Sequence, residues 1–440
     1  MKLRELKNKK VCFLGLGIDN LSLIRFLIRQ KKTSALTVAD QRTKSQLAER
    51  YQSLSKFKKI GWQLGKNYDR NLARFEIIVR APGYPLFSQN LAKANARGVT
   101  ITSAVKLFLA NAKTLNIIGV TGTKGKGTTA SLIHRLLKAT GKKSYLGGNI
   151  GVPVFDFFPK LKKNDWVVLE LSSFQLEDLE VSPKIAVITN FYPEHLSPAD
   201  AFNPNYHQTL SGYWQSKLNI ARLLDKKNLT VLNLNLKPRL KNKKINSRLI
   251  YFKKSRLTSK LIGEHNRENV GAAVAVSKLI GLNQKLVAKA IANFKGLEHR
   301  LELTRNLKQV SYYNDSFATT KESAITALKS FNRPIILLAG GADKGASFNK
   351  LAKEVKQRVK FVILFKGQAS PKIKKQLLKV GFPATNITTV NSMRAAVRKA
   401  FKIACANEIV LLSPACASFG LFKNYKQRGR LFKEQVRKLR

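Results

Sequence analysis

Short apolar runs alternate along this chain with glycine-bearing turns and with longer stretches of helical period. Continuous apolar runs of four to six residues read as buried strands, and the amphipathic stretches between them as helices. The pattern predicts strands over 11–14, 36–39, 75–79 and 99–102, with helices over 21–30 and 104–110. A polar stretch at 111–114 reads as a linker. A second series has strands over 116–120, 166–171 and 185–189 and helices over 126–139, 213–224 and 266–280. The basic span 237–260 carries strand-like pieces at its ends. A third series begins near Leu297, with strands over 310–313, 335–339, 361–365, 387–390 and 409–412 and a basic, helix-like tail over 422–440. Strands alternating with helices throughout predict an α/β protein built on parallel sheets.

Composition narrows the classes. At roughly 100–200 residues per domain, 440 residues suggest two to four domains. A hydrophobic share of 44% excludes a disordered polycation. Lysine and arginine number 81 against 25 acidic residues, a formal charge of +56. Such a charge draws polyanions, but these basic residues are dispersed between apolar segments. They are not clustered with aromatics as a nucleic-acid reading head requires. The excess reads as a solvated surface, and no specific nucleic-acid partner is expected. No stretch approaches the ~18 apolar residues of a membrane span, and Gly15 and Gly17 break the first apolar run too early for a secretion signal. The expected location is the cytoplasm. Cys12, Cys405 and Cys416 form no CxxC pair and read as small buried residues in a reducing compartment.

The sharpest local feature is GVTGTKGKGTT at 119–129, after an apolar strand and before a helix. Glycines let backbone N–H groups converge on phosphate oxygens, and the helix N-terminus adds a positive field. Gly122, Thr123, Lys124, Gly125, Lys126, Gly127 and Thr128 are the candidate phosphate-binding residues, with Lys126 reaching the β/γ-phosphates. A standard loop carries Ser or Thr directly after the lysine. Here that position is Gly127, and the hydroxyls follow at Thr128 and Thr129. The competing reading is a plain glycine-rich turn. A weaker loop, Gly15-Leu16-Gly17-Ile18-Asp19-Asn20, precedes Asp40 by about twenty residues. It lacks the third glycine of a dinucleotide fingerprint, and fits a nucleotide-sugar diphosphate or simply a tight βα turn.

Further motifs follow in order: LELSSFQLE (169–177), TNFYPEHL (189–196), YWQSK (213–217), GEHNREN (263–269), GLEHR (296–300), YNDSFATT (313–320), GGADKG (340–345), LSPACASF (412–419), FKNY (422–425) and QRG (427–429). Over essentially the whole chain this set resembles the Mur ligases of peptidoglycan synthesis. SSFQLE and SPACASF…FKNY are similar to the D-glutamate-adding branch, and the DNPR element of the diamino-acid-adding branch is absent. The nearest alternative is another ATP-dependent Mur-type or folylpolyglutamate-type ligase that uses the same central domain.

The resemblance implies three domains: a Rossmann-like UDP-sugar domain at 1–112, a central ATPase domain at 113–297 and a Rossmann-like amino-acid domain at 298–440. It implies a monomer that uses ATP and two Mg²⁺ ions, with UDP-N-acetylmuramoyl-L-alanine and D-glutamate as substrates, and an acyl-phosphate intermediate. Lys126, Glu170, His195 and Lys217 are the implied catalytic residues. Glu170, His195 and a carbamylated Lys217 would hold metal. His207 rivals His195, because an insertion over 197–204 separates the two. Asn266, Arg300 and Asp315 are implied around the nucleotide. Asp40, Arg42 and Asn149 are implied for the UDP-sugar, and Thr319, Lys344, Ser418 and Tyr425 for D-glutamate. Two positions depart from the family: Phe317 stands where a lysine is usual, and Tyr425 where phenylalanine is common.

Overall fold

Apolar runs buried on both faces dominate the strands, and glycines or polar turns end them at one edge of each sheet. The computed structural model describes residues 1–30, 35–196, 205–241, 243–343, 345 and 347–440. These fold as two units, Met1–Thr258 with Arg267–Ala292, and Ser259–Asn266 with Asn293–Arg440.

The first unit carries two parallel sheets. One comprises β1 (Lys10–Leu14), β2 (Ala35–Asp40), β3 (Ile60–Leu64), β4 (Ile77–Arg80) and β5 (Thr100–Thr102), in the order β3-β2-β1-β4-β5. The other comprises β6 (Ile117–Thr121), β7 (Ser144–Gly148), β8 (Trp166–Glu170), β9 (Ile185–Ile188), β10 (Leu229–Asn233) and β11 (Arg248–Phe252), in the order β11-β10-β9-β6-β8-β7. β6 lies between β8 and β9, all parallel. Their C-terminal ends therefore meet at one edge, where ligands bind in open α/β sheets. The second unit has β12 (Glu302–Leu307), β13 (Val310–Asn314), β14 (Ile335–Ala339), β15 (Val359–Phe365), β16 (Ile387–Val390) and β17 (Ile409–Leu412), in the order β12-β13-β17-β14-β15-β16.

The parallel expectation needs one correction, because β12 runs antiparallel to β13. Only Lys308 and Gln309 join them, both left-handed at φ 50° and 61°. A two-residue turn of that kind closes a hairpin, whereas a parallel pair needs a long crossover. Cys405 is also exposed, unlike buried Cys12 and Cys416. It follows the amphipathic helix Met393–Ile403 in a solvent-facing turn. Among the described residues, no helix is long and apolar enough to cross a membrane.

Aromatic packing and buried charge join the two sheets of the first unit. Phe26, on the helix Ile18–Arg29, meets Phe155 and Phe158 at centroid distances of 5.3 and 5.4 Å. Arg80, at the end of β4 and 1% exposed, donates to Asp178 Oδ1 at 3.2 Å and to the Phe174 carbonyl at 3.1 Å. Glu177 lies 3.7 Å from the same guanidinium. Burial raises the Glu177 carboxyl to about 7, against the opposing pull of Arg80.

Removing one partner of a buried ion pair typically costs about 3–5 kcal/mol. Arg80→Ala is therefore expected to destabilise the first unit by about that much in urea unfolding. A loss below about 1 kcal/mol would contradict this account of the joint.

His134, bonded to Ser144 Oγ at 2.9 Å, is held neutral by burial, which lowers it from 6.5 to about 4. Between those values the unfolded chain binds the proton and the fold does not, so stability falls as pH drops from 6.5 towards 4. Urea midpoints measured across that window should decline on acidification, and His134→Gln should flatten the decline. An unchanged slope in the variant would refute the assignment.

Candidate active site

The glycine-rich loop links the end of β6 to the helix Lys126–Ala139 and is stitched to the end of β9. Thr123 N–H donates to the Asn190 carbonyl at 3.1 Å, and Lys124 N–H to Asn190 Oδ1 at 2.8 Å. Asn190 Nδ2 and Thr189 Oγ1 return hydrogen bonds to the Lys124 carbonyl at 3.0 and 2.7 Å. Gly122 and Gly125 have φ of 141° and 77°, in the region that favours glycine. A Cβ at Gly122 would overlap Thr189 Oγ1, and one at Gly125 would overlap Asn269 Oδ1. The loop is thus clamped from both sides, with the positive end of a helix directly behind it.

Three lysines converge here. Lys126 Nζ donates to the Thr123 carbonyl at 3.0 Å, and Lys124 pairs with Glu194. Lys217, on the helix Leu210–Arg222, is 1% exposed; its Nζ donates to the Gly122 carbonyl at 2.8 Å and lies 4.4 Å from the Tyr213 ring centroid. Burial, reinforced by the Lys126 charge, pushes the Lys217 ammonium well below the ordinary lysine range, and Glu194 only partly opposes this. Burial would raise Glu194, but Lys124 outweighs it and keeps the carboxyl below its usual value.

Glu170 ends β8 beside this loop. It is 3% exposed, and its Oε2 has no hydrogen-bond partner among the described residues. An orphaned carboxylate oxygen in such a position fits a hard cation. Asn149 is exposed at the neighbouring strand end, its N–H donating to the Glu170 carbonyl at 2.9 Å.

The two rival histidines lie together. His207 N–H donates to the His195 carbonyl at 2.8 Å, so the chain leaves at 196 and returns to the same place. His207 is buried, stacked on Phe174 at 4.8 Å, with Nε2 2.9 Å from Ser173 Oγ and Nδ1 3.4 Å from Glu177. His195 is 44% exposed in its side chain, left-handed at φ 57°, and flanks Glu194. Burial lowers it, with Glu194 opposing and the three lysines assisting. Its ring is therefore the more accessible of the two.

Asp40 and Arg42 form the other end of this unit's candidate set. Asp40 is 2% exposed and accepts Leu16 N–H at 2.7 Å and both Arg42 N–H and Nε–H, at 2.9 and 2.8 Å. Burial alone would raise its carboxyl, but the Arg42 and Leu16 hydrogen bonds win and hold it below the usual range. A cavity of about 440 Å³ opens between Asn233, Lys253, Lys254, Arg256, Arg267 and Glu268. The motif reading missed it. Its clue was GEHNREN, where Arg267 and Glu268 line the cavity and Asn269 braces Gly125, while Asn266 belongs to the second unit.

In the second unit, Arg300, Thr319 and Tyr425 gather around Phe317. The Arg300 guanidinium lies 3.8 Å from the Phe317 centroid, Tyr425 meets that ring edge-on at 5.1 Å, and Thr319 N–H donates to its carbonyl at 2.8 Å. Asp315 is turned inward, accepting Ser413 Oγ–H at 2.8 Å and Leu301 N–H at 3.2 Å. Burial raises it to about 7. It braces the Arg300 turn from within. Ser418 is buried, and Lys344 lies outside the described residues. Sequence reading also missed Arg428, fully buried, which ties Ser316 to the Cys416 carbonyl.

Among the described residues, Glu298, His299 and Glu302 are the one trio of acidic, imidazole or thiol ligand atoms within 4.8 Å of one another. Lys433 bridges both carboxylates, so an ammonium already fills that role. Glu170 and His195 belong to no such trio.

The comparisons with known proteins cover the same ground. The MurD-like N-terminal domain of Mur ligases matches residues 9–103, the Mur ligase middle domain 120–256, and the Mur ligase glutamate ligase domain 299–416. The chain belongs to the Mur ligase family. Among curated relatives, UDP-N-acetylmuramoylalanine–D-glutamate ligase of Caldicellulosiruptor bescii is 34% identical, covering 99% of both chains. The enzyme of that name from Caldanaerobacter subterraneus subsp. tengcongensis is 36% identical over 99% of this chain and all of its own. The solved MurF ligase of Thermotoga maritima, in complex with ADP, shares the fold at TM-score 0.57 and 14% identity, covering 99% of this chain and 97% of that one. This Mur ligase thus has the family's three-domain α/β architecture, including the expected phosphate-loop domain.

Gly125→Ala should weaken ADP binding about tenfold or more, since a left-handed alanine is strained and its Cβ displaces Asn269. Isothermal titration checks this, and undiminished affinity would refute the clamp.

Proposed function

We propose that this Mur ligase joins D-glutamate to UDP-N-acetylmuramoyl-L-alanine, cleaving ATP to ADP and phosphate. The observation that carries this reading is full-length similarity to relatives of that name, combined with a clamped phosphate loop beside an orphaned Glu170 oxygen.

The alanyl carboxylate is a poor acylating group, because oxide is a poor leaving group. One carboxylate oxygen attacks the γ-phosphorus and ADP departs, leaving an acyl phosphate. The D-glutamate ammonium gives a proton to solvent, and the free amine attacks the acyl carbon; the C–O bond to phosphate breaks, the nitrogen's surplus proton leaves with the phosphate, and the amide forms. Positioning and charge neutralisation dominate such chemistry. Lys126 and the loop amides hold the β/γ-phosphates, with Gly122, Thr123, Lys124, Gly125, Gly127 and Thr128 forming the cradle. The cavity beside Arg267 is large enough for a nucleoside. Arg300 engages phosphate oxygens, and Asp315 sets its turn. Asp40, Arg42 and Asn149 serve the UDP-sugar. Thr319, Ser418, Tyr425 and Lys344 serve D-glutamate, the last assigned from its motif.

Mg²⁺, when bound, would neutralise the phosphates. Glu170 is suited to hold it through its unpartnered oxygen, and His195 through its exposed ring. Lys217 contributes as a carbamate. Its buried, weakly basic amine can attack CO₂ and release a proton, which an ordinary ammonium cannot do. The two commitments of the His207 ring support His195 as the metal-facing residue.

Phosphate release with UDP-N-acetylmuramoyl-L-alanine, measured across a panel of amino acids, tests the reading. D-Glutamate alone should support turnover, and Lys126→Ala should abolish it. His195→Ala should raise the Mg²⁺ requirement sharply and His207→Ala much less. Turnover with a different amino acid, or near-parental activity of Lys126→Ala, would overturn the proposal.

A further inference from the structure

Arg300 sits in a turn whose backbone is unusually constrained. His299 and Leu301, its two neighbours, are both left-handed, at φ 66° and 43°. Non-glycine residues persist in that region only where the surroundings over-determine them, most often at functional positions. Here the surroundings do so. His299 N–H donates to Glu302 Oε2 at 2.9 Å, and Leu301 N–H to Asp315 Oδ1 at 3.2 Å. The His299 carbonyl accepts Phe317 N–H at 3.0 Å. The His299 ring is 2.9 Å from Asn314 Nδ2, and Gly429 leaves it no clearance. The turn is thus built to deliver one side chain to a fixed place.

That place is the Phe317 ring. The guanidinium carbon lies 3.8 Å from the ring centroid, the range of a close cation–π stack. Tyr425 holds the ring edge-on, at 5.1 Å and 90°. Phe317 is nonetheless 39% exposed. The part of the ring that is not packed on Tyr425 leaves one face for the guanidinium. Stacking engages the flat face of a guanidinium, while its N–H donors lie in the plane, where they suit phosphate oxygens.

We infer that Phe317 is a positioning residue: its ring is the platform that orients the Arg300 guanidinium towards an anionic oxygen of the nucleotide. The inference rests on the proposed ATP-dependent reaction and on Arg300 as a nucleotide contact. A lysine at 317 would have no ring face to offer Arg300.

The test measures the KM for ATP, kcat, ADP affinity and melting temperature of the full chain. Phe317→Leu keeps apolar bulk and loses the π face; Phe317→Tyr keeps both. Phe317→Leu and Phe317→Lys are expected to raise the KM for ATP roughly three- to tenfold with a much smaller change in kcat. Phe317→Tyr should behave as the parent, melting temperatures should not move, and Phe317→Leu should add nothing in an Arg300→Ala background. The platform role is overturned if Phe317→Leu matches the parent, if Phe317→Lys improves the KM, or if the Leu and Ala effects add. It is also overturned if Phe317→Tyr fails alongside Phe317→Leu with a lowered melting temperature. Arg300→Ala separates the layers. Unchanged ATP and ADP binding in that variant removes Arg300 from the nucleotide and the platform with it. Weakened binding there, with parental Phe317→Leu, removes the platform alone.

Discussion

The first unit depends on one close approach of backbone to backbone, where the glycine-rich loop lies against the end of β9. At Gly122 there is no room for even a methyl group beside Thr189, and at Gly125 none beside Asn269. This contact fixes the loop amides, the start of the helix Lys126–Ala139, and the carbonyl to which Lys217 donates. Without it, three lysines would have no reason to share one site. With it, Lys217 is buried beneath the loop, and that burial, reinforced by the charge of Lys126, takes away its basicity.

That arrangement makes a cationic region containing two differently treated carboxylates. Glu194 is paired with Lys124 and stays ionised. Glu170 keeps one oxygen unmatched. A region with surplus positive charge and one uncommitted carboxylate oxygen suits a polyanion that arrives with a divalent cation. The joint between the first two sheets reaches the same region, since Arg80 also holds the carbonyl of Phe174, the ring on which His207 stacks. Structural charge and site geometry are therefore coupled through a few residues.

Much of the fold was legible because buried parallel strands are continuous apolar runs; β14, β16 and β17 match their expected bounds residue for residue. Most of the strands that went unread lack that signature; β10 has it, with four of its five residues buried, and was passed over beside the basic span that follows it. β3 and β7 contain glycine and partly exposed positions, β11 sits in a basic span, and β12 is half-buried or exposed throughout on a hairpin edge. The phosphate loop was legible because glycine spacing and helix onset are local. Asn190, Asn269 and Arg428 were not, because their roles arise from contacts distant in sequence. The rivalry of His195 and His207 could not be resolved from spacing either. It turns on which ring is buried, and only the backbone bridge across the insertion reveals that they are neighbours. Asp315 reads like a ligand-facing acid in its motif, yet its carboxylate points inward.

The proposed reaction requires that the alanyl carboxylate be phosphorylated before the amine attacks. Isotope transfer from that carboxylate tests it most directly. With UDP-N-acetylmuramoyl-L-alanine labelled with ¹⁸O in both carboxylate oxygens, the account predicts one ¹⁸O in each phosphate released during D-glutamate-dependent turnover. Released phosphate without ¹⁸O, its fourth oxygen taken from solvent water, would contradict it.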